Sequence, residues 1–312
     1  MSKPRLIIDT DPGHDDAIAL ILAHHFADVV GITTVAGNTT VENATKNAIR
    51  ICDLLDVSTP VHSGASAPLV AAPDFASEVH GDDGLGGIQL PEPSRAEASD
   101  RAIEFLLDAV EPDLWVVAIG PLTNIAQVLN RDKSWFERVA GLSLMGGTTG
   151  GGNVTAAAEF NIYFDPEAAD VVFRAGGKTL MSGLNLTHQV QISATELEHV
   201  VKSSPESLRT RFIDQNFARI IERLHDLTGS PEVAMHDPCA VLAVTHPDLF
   251  EFSPREVKVE LTGSHTRGMT VVDERLRVVR DLSKIEVGYG VDAHAVKSLI
   301  FEVLYGDVSE PE

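Results

Sequence analysis

Cysteine is scarce in this sequence, which contains only Cys52 and Cys239. Neither residue belongs to a paired spacing, so nothing indicates a disulfide framework or a thiolate metal site. Both lie in stretches with helical periodicity. We therefore expect both to be small buried residues of the core.

Basic residues are also few, because 24 Lys and Arg stand against 46 Asp and Glu and the formal net charge is −22. Such an acidic chain repels the phosphate backbone of nucleic acids, which are not expected as partners. Most of these carboxylates are expected only to keep the protein soluble. Only clustered carboxylates therefore indicate a site.

Long apolar runs are absent as well. No run reaches the ~18 residues that a membrane span needs, and the N-terminal residues lack a basic stretch followed by an apolar signal segment. We therefore expect a cytoplasmic protein with no membrane partner. Because no linker or internal repeat interrupts the sequence, we expect a single domain over residues 1–312.

The sequence does contain a regular alternation of strand-like and helix-like segments. Strands are predicted at 6–9, 29–35, 114–118, 139–145 and 178–181, and helices at 16–25, 41–55, 122–129 and 166–174. Continuous apolar strands between amphipathic helices predict an α/β fold with an open, mostly parallel central sheet flanked by helices. Towards the C-terminus we expect an extra helical segment at 196–228 with a break at Ser204-Pro205, a small strand pair at 257–261 and 269–272, and a closing helix at 292–304.

Polar or glycine-rich segments follow the five predicted strands. They are residues 10–15, 36–38, 120–124, 146–161 and 183–188. Ligands of open α/β sheets bind beyond the carboxyl ends of the strands, so all five should meet on one rim. Residues 64–98 are too long for an ordinary connection and are expected to form a lid or flap.

Four aspartates occur at the end of the first predicted strand: Asp9, Asp11, Asp15 and Asp16. One interpretation is an N-cap and acidic first turn for the following helix. The other is a cation site, since like charges this close repel unless a cation joins them. Without neighbouring cysteine or paired histidine, such a site favours calcium or magnesium over zinc.

The aspartate pattern alone is also compatible with a different enzyme. A magnesium-dependent phosphatase of the haloacid dehalogenase class would use Asp9 as its nucleophile, although that class usually has Thr or Val where this chain has Gly13.

The segment Asp9-Thr-Asp-Pro-Gly-His-Asp-Asp-Ala17 resembles the signature of the nucleoside hydrolase family, the N-ribohydrolases of purine and pyrimidine nucleosides. Further segments agree with that family in the same order along nearly the whole chain. They are Thr33-Thr-Val-Ala-Gly-Asn38, Gly120-Pro-Leu-Thr-Asn124, Leu144-Met-Gly-Gly147, Ala158-Glu-Phe-Asn161 with Asp165-Pro-Glu-Ala-Ala169, Gly183-Leu-Asn-Leu-Thr-His188 and His236-Asp-Pro-Cys239.

The resemblance implies calcium-dependent hydrolysis of the N-glycosidic bond. The non-enzymatic alternative is a nucleoside-binding or ribose-binding protein that has lost turnover. The metal ligands that the resemblance implies are the side chains of Asp11, Asp16 and Asp237 and the backbone carbonyl of Ile119. Asp11 would also be the general base for a metal-bound water, and Asn38 would lie beside that water. His236 is the implied acid for the leaving base, and the alternative is a histidine that only orients its loop.

The same resemblance implies how the substrate, a small-molecule ribonucleoside, is held. Asp15 and Asn161 would bind the 2′ and 3′ hydroxyls of the ribose, and Asn153 and Glu159 would lie around the 5′ hydroxyl. His80 in the expected flap matches a base-pocket histidine of that family, and the alternative is a solvent-exposed loop histidine. Met145 and Phe160, which lie inside two of the shared segments, are expected to contact the substrate as well.

Some positions depart from the family pattern. His14 replaces a residue that is usually aliphatic, and it would either contact the site or cap the helix. Residues 219–226 contain no aromatic side chain to pack on the base, so Arg223 or His225 would serve there or lie on a solvated helix face. Asn185 stands where relatives commonly have Asp and is expected to support the site indirectly. The resemblance also implies a homodimer or homotetramer.

Overall fold

A computed structural model describes residues 3–201, 206–275 and 285–306. Within these ranges an eight-stranded sheet forms the centre of the molecule, in the order β3-β2-β1-β4-β5-β6-β12-β9. The strands are β1 (Arg5–Thr10), β2 (Asp28–Thr34), β3 (Val61–Ser63), β4 (Leu114–Ala118), β5 (Gly141–Met145), β6 (Thr179–Ser182), β7 (Gln191–Ser193), β8 (Glu232–Ala234), β9 (Phe250–Pro254), β10 (Val257–Val259), β11 (Thr270–Val272) and β12 (Ile285–Val291). All neighbours in the central sheet are parallel except β9, which runs antiparallel to β12.

Helices cover both faces of this sheet. They are α1 (His14–Phe26), α2 (Val41–Leu54), α3 (Ser77–His80), α4 (Ala102–Asp108), α5 (Thr123–Arg131), α6 (Phe160–Phe164), α7 (Pro166–Arg174), α8 (Leu184–Thr187), α9 (Ala194–Val201), α10 (Leu208–Thr228), α11 (His236–Thr245) and α12 (Ala293–Tyr305). Side chains alternate along each strand, so Leu6 and Ile8 enter the core beneath α1, α11 and α12, whereas Ile7 enters the core beneath α4, α5 and α7. The predicted α/β class is confirmed.

Helices α1 and α11 are largely buried and pack against each other. Both are apolar around most of their circumference, as expected of helices enclosed by other elements. Their N-termini carry Asp15, Asp16 and Asp237. The packing of these two helices therefore brings acidic first turns from distant parts of the sequence together.

The elements that the sequence did not predict are mostly short. β3, β7 and β8 have three residues each, too few for a periodic pattern. β12 contains Gly288 and Gly290, between which the pairing with β9 changes register, so its apolar pattern is interrupted. The expected strand pair is present as antiparallel β10 and β11, separate from the central sheet. The expected break at Ser204-Pro205 lies outside the described residues.

No helix in the described ranges is both long and apolar enough to cross a membrane. Cys52 and Cys239 are free thiols buried in the core, as expected. The expected flap contains the short helix α3. The positions of its side chains are described with the site.

Candidate active site

The carboxyl ends of five parallel strands open on one rim of the sheet. Residues 10–15, 36–38, 120–124, 146–161 and 183–188 follow β1, β2, β4, β5 and β6, which are neighbours in the sheet. The strand order reverses at β1, which lies between β2 and β4. A crevice at such a reversal is the usual ligand site of an open α/β sheet, so the expected rim is confirmed.

Three carboxylates converge at this rim. One oxygen from each of Asp15, Asp16 and Asp237 can be chosen so that all three lie within 4.8 Å of one another. Burial, followed by the charge of Asp16, raises the pKa of Asp15 to about 7. Burial and the charges of its neighbours also raise the pKa of Asp237 well above its usual range. Carboxylates that disfavour one another's ionisation in this way form a site for a hard cation.

Asp16 is held in place by four donors. Its carboxylate accepts hydrogen bonds from Thr10 Oγ1 at 2.6 Å, from the amides of Asp11 at 3.3 Å and Gly13 at 2.9 Å, and from Asn38 Nδ2 at 3.1 Å. The bond from Gly13 caps the N-terminus of α1, so the helix-capping interpretation is correct for this aspartate. Capping uses only one of the about four lone-pair sites of a carboxylate, so the capping bond by itself does not prevent cation binding.

Asp11 is fully buried and has one oxygen with no partner among the described residues. Oδ2 accepts a hydrogen bond of 2.6 Å from the Asn38 amide, whereas Oδ1 is buried and bonds to nothing in the part of the chain that the structure describes. Burial, followed by the charge of Asp16, raises the pKa of Asp11. Asp11 is not one of the three converging carboxylates, but Asn38 bonds to both Asp11 and Asp16 and so joins it to that group.

The carbonyl of Ile119 also lies at the rim. It accepts a hydrogen bond of 3.0 Å from Asn161 Nδ2, which donates at 3.1 Å to the carbonyl of Met145 as well. A carbonyl oxygen has two lone pairs, so this bond leaves one for a further ligand. The atoms that could coordinate a metal ion are thus all oxygens, and they include the unpartnered Oδ1 of Asp11. This set fits a hard cation.

Glu159 caps helix α6. Its carboxylate accepts from the amides of Asn161 at 2.9 Å and Ile162 at 3.2 Å, and from the amide of Gly147 at 2.8 Å. Burial raises the pKa of Glu159 to about 7, although these amides favour the charged form. Asn153 is exposed on the adjoining loop and accepts a hydrogen bond of 3.0 Å from the Phe160 amide. The motif predicted none of these capping contacts.

Two histidines flank the cluster. His236 Nδ1 lies 2.7 Å from Thr187 Oγ1, and burial lowers the pKa of His236 to about 3. His80 is buried in α3, where burial and neighbouring histidines lower its pKa well below its usual range. His80 Nδ1 lies 3.2 Å from the His14 amide and 3.1 Å from His14 Nδ1. The solvent-exposed alternative for His80 is therefore wrong.

Comparison with known proteins decides the family. A family model described as inosine-uridine preferring nucleoside hydrolase matches residues 6–298. The chain belongs to the nucleoside hydrolase family. It is 41% identical over 286 residues to the pyrimidine-specific ribonucleoside hydrolase RihA of Salmonella paratyphi A, a match that covers 86% of this chain and 88% of that protein.

Solved structures of nucleoside hydrolases agree with this assignment. The purine-preferring ribonucleoside hydrolase from Gardnerella vaginalis superposes with a TM-score of 0.89 at 30% identity, over 96% of this chain and 98% of that one. The plant nucleoside hydrolase PpNRh1 gives a TM-score of 0.88 at 31% identity, over 97% and 99% of the two chains. This chain is thus a ribonucleoside hydrolase that acts on N-glycosyl bonds. The phosphatase and the binding protein without turnover are not supported.

Several positions of this nucleoside hydrolase serve roles that the sequence left open. Arg223 donates to the carbonyl of Ser77 at 2.8 Å and to that of Glu78, so its guanidinium holds α3. His225 is 63% exposed at its side chain and lies on a solvated helix face. Asn185 bonds to the Thr149 amide and the Gly288 carbonyl, which joins the loop after β5 to strand β12.

Two further polar residues of the hydrolase, Asn124 and Thr187, were not predicted as site residues. Asp9 Oδ1 accepts from Thr33 Oγ1 at 2.6 Å and from Asn124 Nδ2 at 2.7 Å, so Asp9 links β1 to β2 and α5 beneath the cluster. Thr187 supplies the hydroxyl next to His236. Both Asn124 and Thr187 lie inside shared segments of the sequence, but no local pattern indicates which distant side chain each one meets.

Proposed function

We propose that this nucleoside hydrolase cleaves ribonucleosides to free base and ribose in a calcium-dependent reaction in which Asp11 is the general base. The convergence of Asp15, Asp16 and Asp237 beside the unpartnered Oδ1 of Asp11 carries this proposal. The side chains of Asp16 and Asp237 are buried and that of Asp15 is half-buried, so solvent screens their mutual repulsion only weakly and their pKa values are raised.

The side chains of Asp11, Asp16 and Asp237 and the carbonyl of Ile119 would hold the ion. An oxygen-only donor set with a backbone carbonyl favours calcium over zinc. When bound, the ion supplies positive charge that offsets the carboxylate repulsion and makes a nearby water more acidic. Asp11 Oδ1 accepts the proton of the attacking water, while the Asn38 amide fixes the other oxygen of the same carboxylate.

Asp15 and Asn161 are proposed to bind the 2′ and 3′ hydroxyls of the ribose. Glu159 and Asn153 would lie towards the 5′ hydroxyl, with Phe160 and Met145 beside the substrate. Cleavage passes through a state with positive charge on the sugar. Carboxylates around the ring stabilise that charge more than they stabilise the neutral substrate, and this difference increases the rate.

His236 and His80 are proposed to assist the leaving base. Because the pKa of His236 is lowered to about 3, its ring is neutral near neutral pH. A neutral ring still donates a hydrogen bond from one nitrogen, which stabilises negative charge on the departing base.

Among bases, we propose a preference for pyrimidines. The relative with 41% identity is named pyrimidine-specific, whereas the purine-preferring structure shares 30% identity. Uridine and cytidine should therefore be cleaved faster than inosine, adenosine and guanosine.

The test is ribose release from these five nucleosides, with calcium or with chelator, by the wild type and by Asp11→Asn. Loss of a general base should lower kcat by about 10²–10⁴-fold, because Asn cannot take the proton from water. Asp165→Asn is the matched control, since Asp165 is another buried carboxylate but caps α7 through the Ala168 amide. Full activity of Asp11→Asn, or release that is unchanged by chelator, would contradict the proposal.

A further inference from the structure

The paired rings of His14 and His80 lie beside the carboxylate cluster. Their Nδ1 atoms are 3.1 Å apart, their centroids are 5.3 Å apart, and both side chains are buried. A Cβ atom built on Gly13 would lie 2.6 Å from His80 Nδ1 and 2.8 Å from Asn38 Nδ2. His80 and Asn38 therefore border the same glycine of the site loop.

The hydrogen-bond partners of His80 Nδ1 determine where its proton sits. The amide of His14 lies 3.2 Å away and can only donate, so His80 Nδ1 accepts and carries no hydrogen. Two accepting nitrogens at 3.1 Å would repel, which places a hydrogen on His14 Nδ1. His80 is then the tautomer with its hydrogen on Nε2.

The surroundings hold His14 in this arrangement. Its backbone carbonyl accepts a hydrogen bond of 2.8 Å from Asn216 on α10. A Cβ atom built on Gly86 would lie 3.0 Å from His14 Nε2, so the flap packs closely on the ring. His14 Nε2 is buried and has no partner among the residues that the structure describes, so Nδ1 is the ring nitrogen of His14 that forms a bond there.

We propose that His14 is a positioning residue that holds His80 as the Nε2–H tautomer, so that His80 donates a hydrogen bond to the departing base. This inference rests on the proposed function. Within the described part of the chain, the hydrogen bonds of the His80 ring are both at Nδ1, so the Nε2–H is free for a ligand. An acceptor such as a carbonyl oxygen or ring nitrogen of the base gains negative charge as the glycosidic bond breaks. A fixed donor stabilises that charge more than it stabilises the intact nucleoside.

The first test compares His14→Leu with His14→Asn in the calcium-loaded enzyme. Leucine removes the ring donor, whereas asparagine places an N–H near the position of Nδ1. We expect kcat of His14→Leu to fall at least about tenfold while KM stays within about twofold. The loss of kcat should be smaller than the about 10²–10³-fold expected when a donor to the departing base is removed, because the backbone amide of residue 14 still bonds to His80. His14→Asn should regain most of this loss. His24→Leu is the control, since His24 lies on α1 but bonds to Leu20 and Thr59.

The second test is the tautomer itself, read from ¹H–¹⁵N correlations of the histidine rings in the wild type, with His80→Gln to assign the signal. The expected His80 pattern is a hydrogen-free Nδ1 and a protonated Nε2. A protonated Nδ1 on His80, wild-type kcat in His14→Leu, or equal losses in the Leu and Asn variants would overturn the inference. Because the spectrum does not depend on turnover, a wild type that cleaves no nucleoside would refute the proposed function without affecting this readout.

Discussion

Gly37 leaves the space that the Asp11 carboxylate occupies. A Cβ atom built on Gly37 would clash with Asp11 Oδ2, and one built on Gly120 would lie 2.5 Å from Asp11 Oδ1. The carboxylate therefore lies between two backbones that approach it without side chains. This close approach also allows the Asn38 amide to reach Oδ2 at 2.6 Å.

Gly37→Ala should displace Asp11 and lower kcat by at least about 100-fold, since a misplacement of about 1 Å of a catalytic group costs that much. Gly150→Ala is the control, because the nearest atom to its added Cβ would be Thr148 Oγ1 at 4.0 Å. Steady-state ribose release by both variants measures the effect. Wild-type turnover of Gly37→Ala would mean that the position of Asp11 is not critical.

Single residues that lie in a sequence motif could be identified from the sequence, whereas their hydrogen-bond partners elsewhere in the chain could not. Asp16 was expected at the site because it lies in the first acidic segment. The hydrogen bond between His14 and His80 joins positions 66 residues apart, and that between Thr187 and His236 joins positions 49 residues apart. No local spacing encodes such pairs, so they require the fold.

Among the helices, α10 and α3 illustrate how one element holds another at the site. Arg223 on α10 donates to two carbonyls of α3, the helix that ends at His80. Helix α2 also holds the flap, since its Asn47 Nδ2 donates to the Asp83 carbonyl at 2.8 Å. Loss of either contact exposes backbone that is now bonded.

Arg223→Ala should loosen residues 77–87 and lower kcat/KM by up to about 100-fold, because His80 would no longer be held in place. Arg219→Ala is the matched control, since Arg219 pairs only with Glu222 on its own helix among the ion pairs of the described residues. Hydrogen exchange of residues 77–87 measures the loosening directly. Unchanged exchange in Arg223→Ala would mean that other contacts suffice to hold the flap.

The predictability of the elements followed their length and pattern. Strand 114–118 and helix 166–174 match the structure at both ends, because each has a clear apolar pattern and helix 166–174 begins with Asp165-Pro166. β12 was missed because Gly288 and Gly290 interrupt its apolar pattern, and β9 because five residues that end in Pro254 give too short a pattern. The sequence showed that helices cover the sheet but not that α1 and α11 pack together.

For the molecule as a whole, the carboxylate cluster links stability to pH and to metal. Burial raises the pKa of Asp15 from 3.8 to about 7, so the folded metal-free protein binds more protons than the unfolded chain across this window. The contribution of Asp15 to the free energy of unfolding is therefore lost as the pH rises through about 7. A bound cation offsets the same repulsion.

Calcium should consequently raise the Tm more at about pH 8 than at about pH 5, because ionised carboxylates gain most from the ion. Burial lowers the pKa values of the buried histidines, so below about pH 6.5 they make the free energy of unfolding rise with pH. This contribution is the same with and without calcium, so it does not affect the Tm shift that calcium causes. Thermal unfolding with calcium and with chelator at both pH values measures this difference. An equal shift at the two pH values would contradict the linkage.

We also propose that residues 1–312 form a single domain, since β1 and β12 come from distant parts of the chain and belong to one sheet.

The position of β12 affects how the chain is completed on the ribosome. β12 lies between β6 and β9, yet it is the last of these three strands to be synthesised. Until residues 285–291 emerge, β6 has an open edge and β9 has no strand of the central sheet to pair with. An unpaired edge of this kind recruits strands from other chains. A nascent chain that is interrupted before Ile285 would thus carry a complete set of carboxylates and an unfinished sheet, and it would be a target for chaperones before it could be an enzyme.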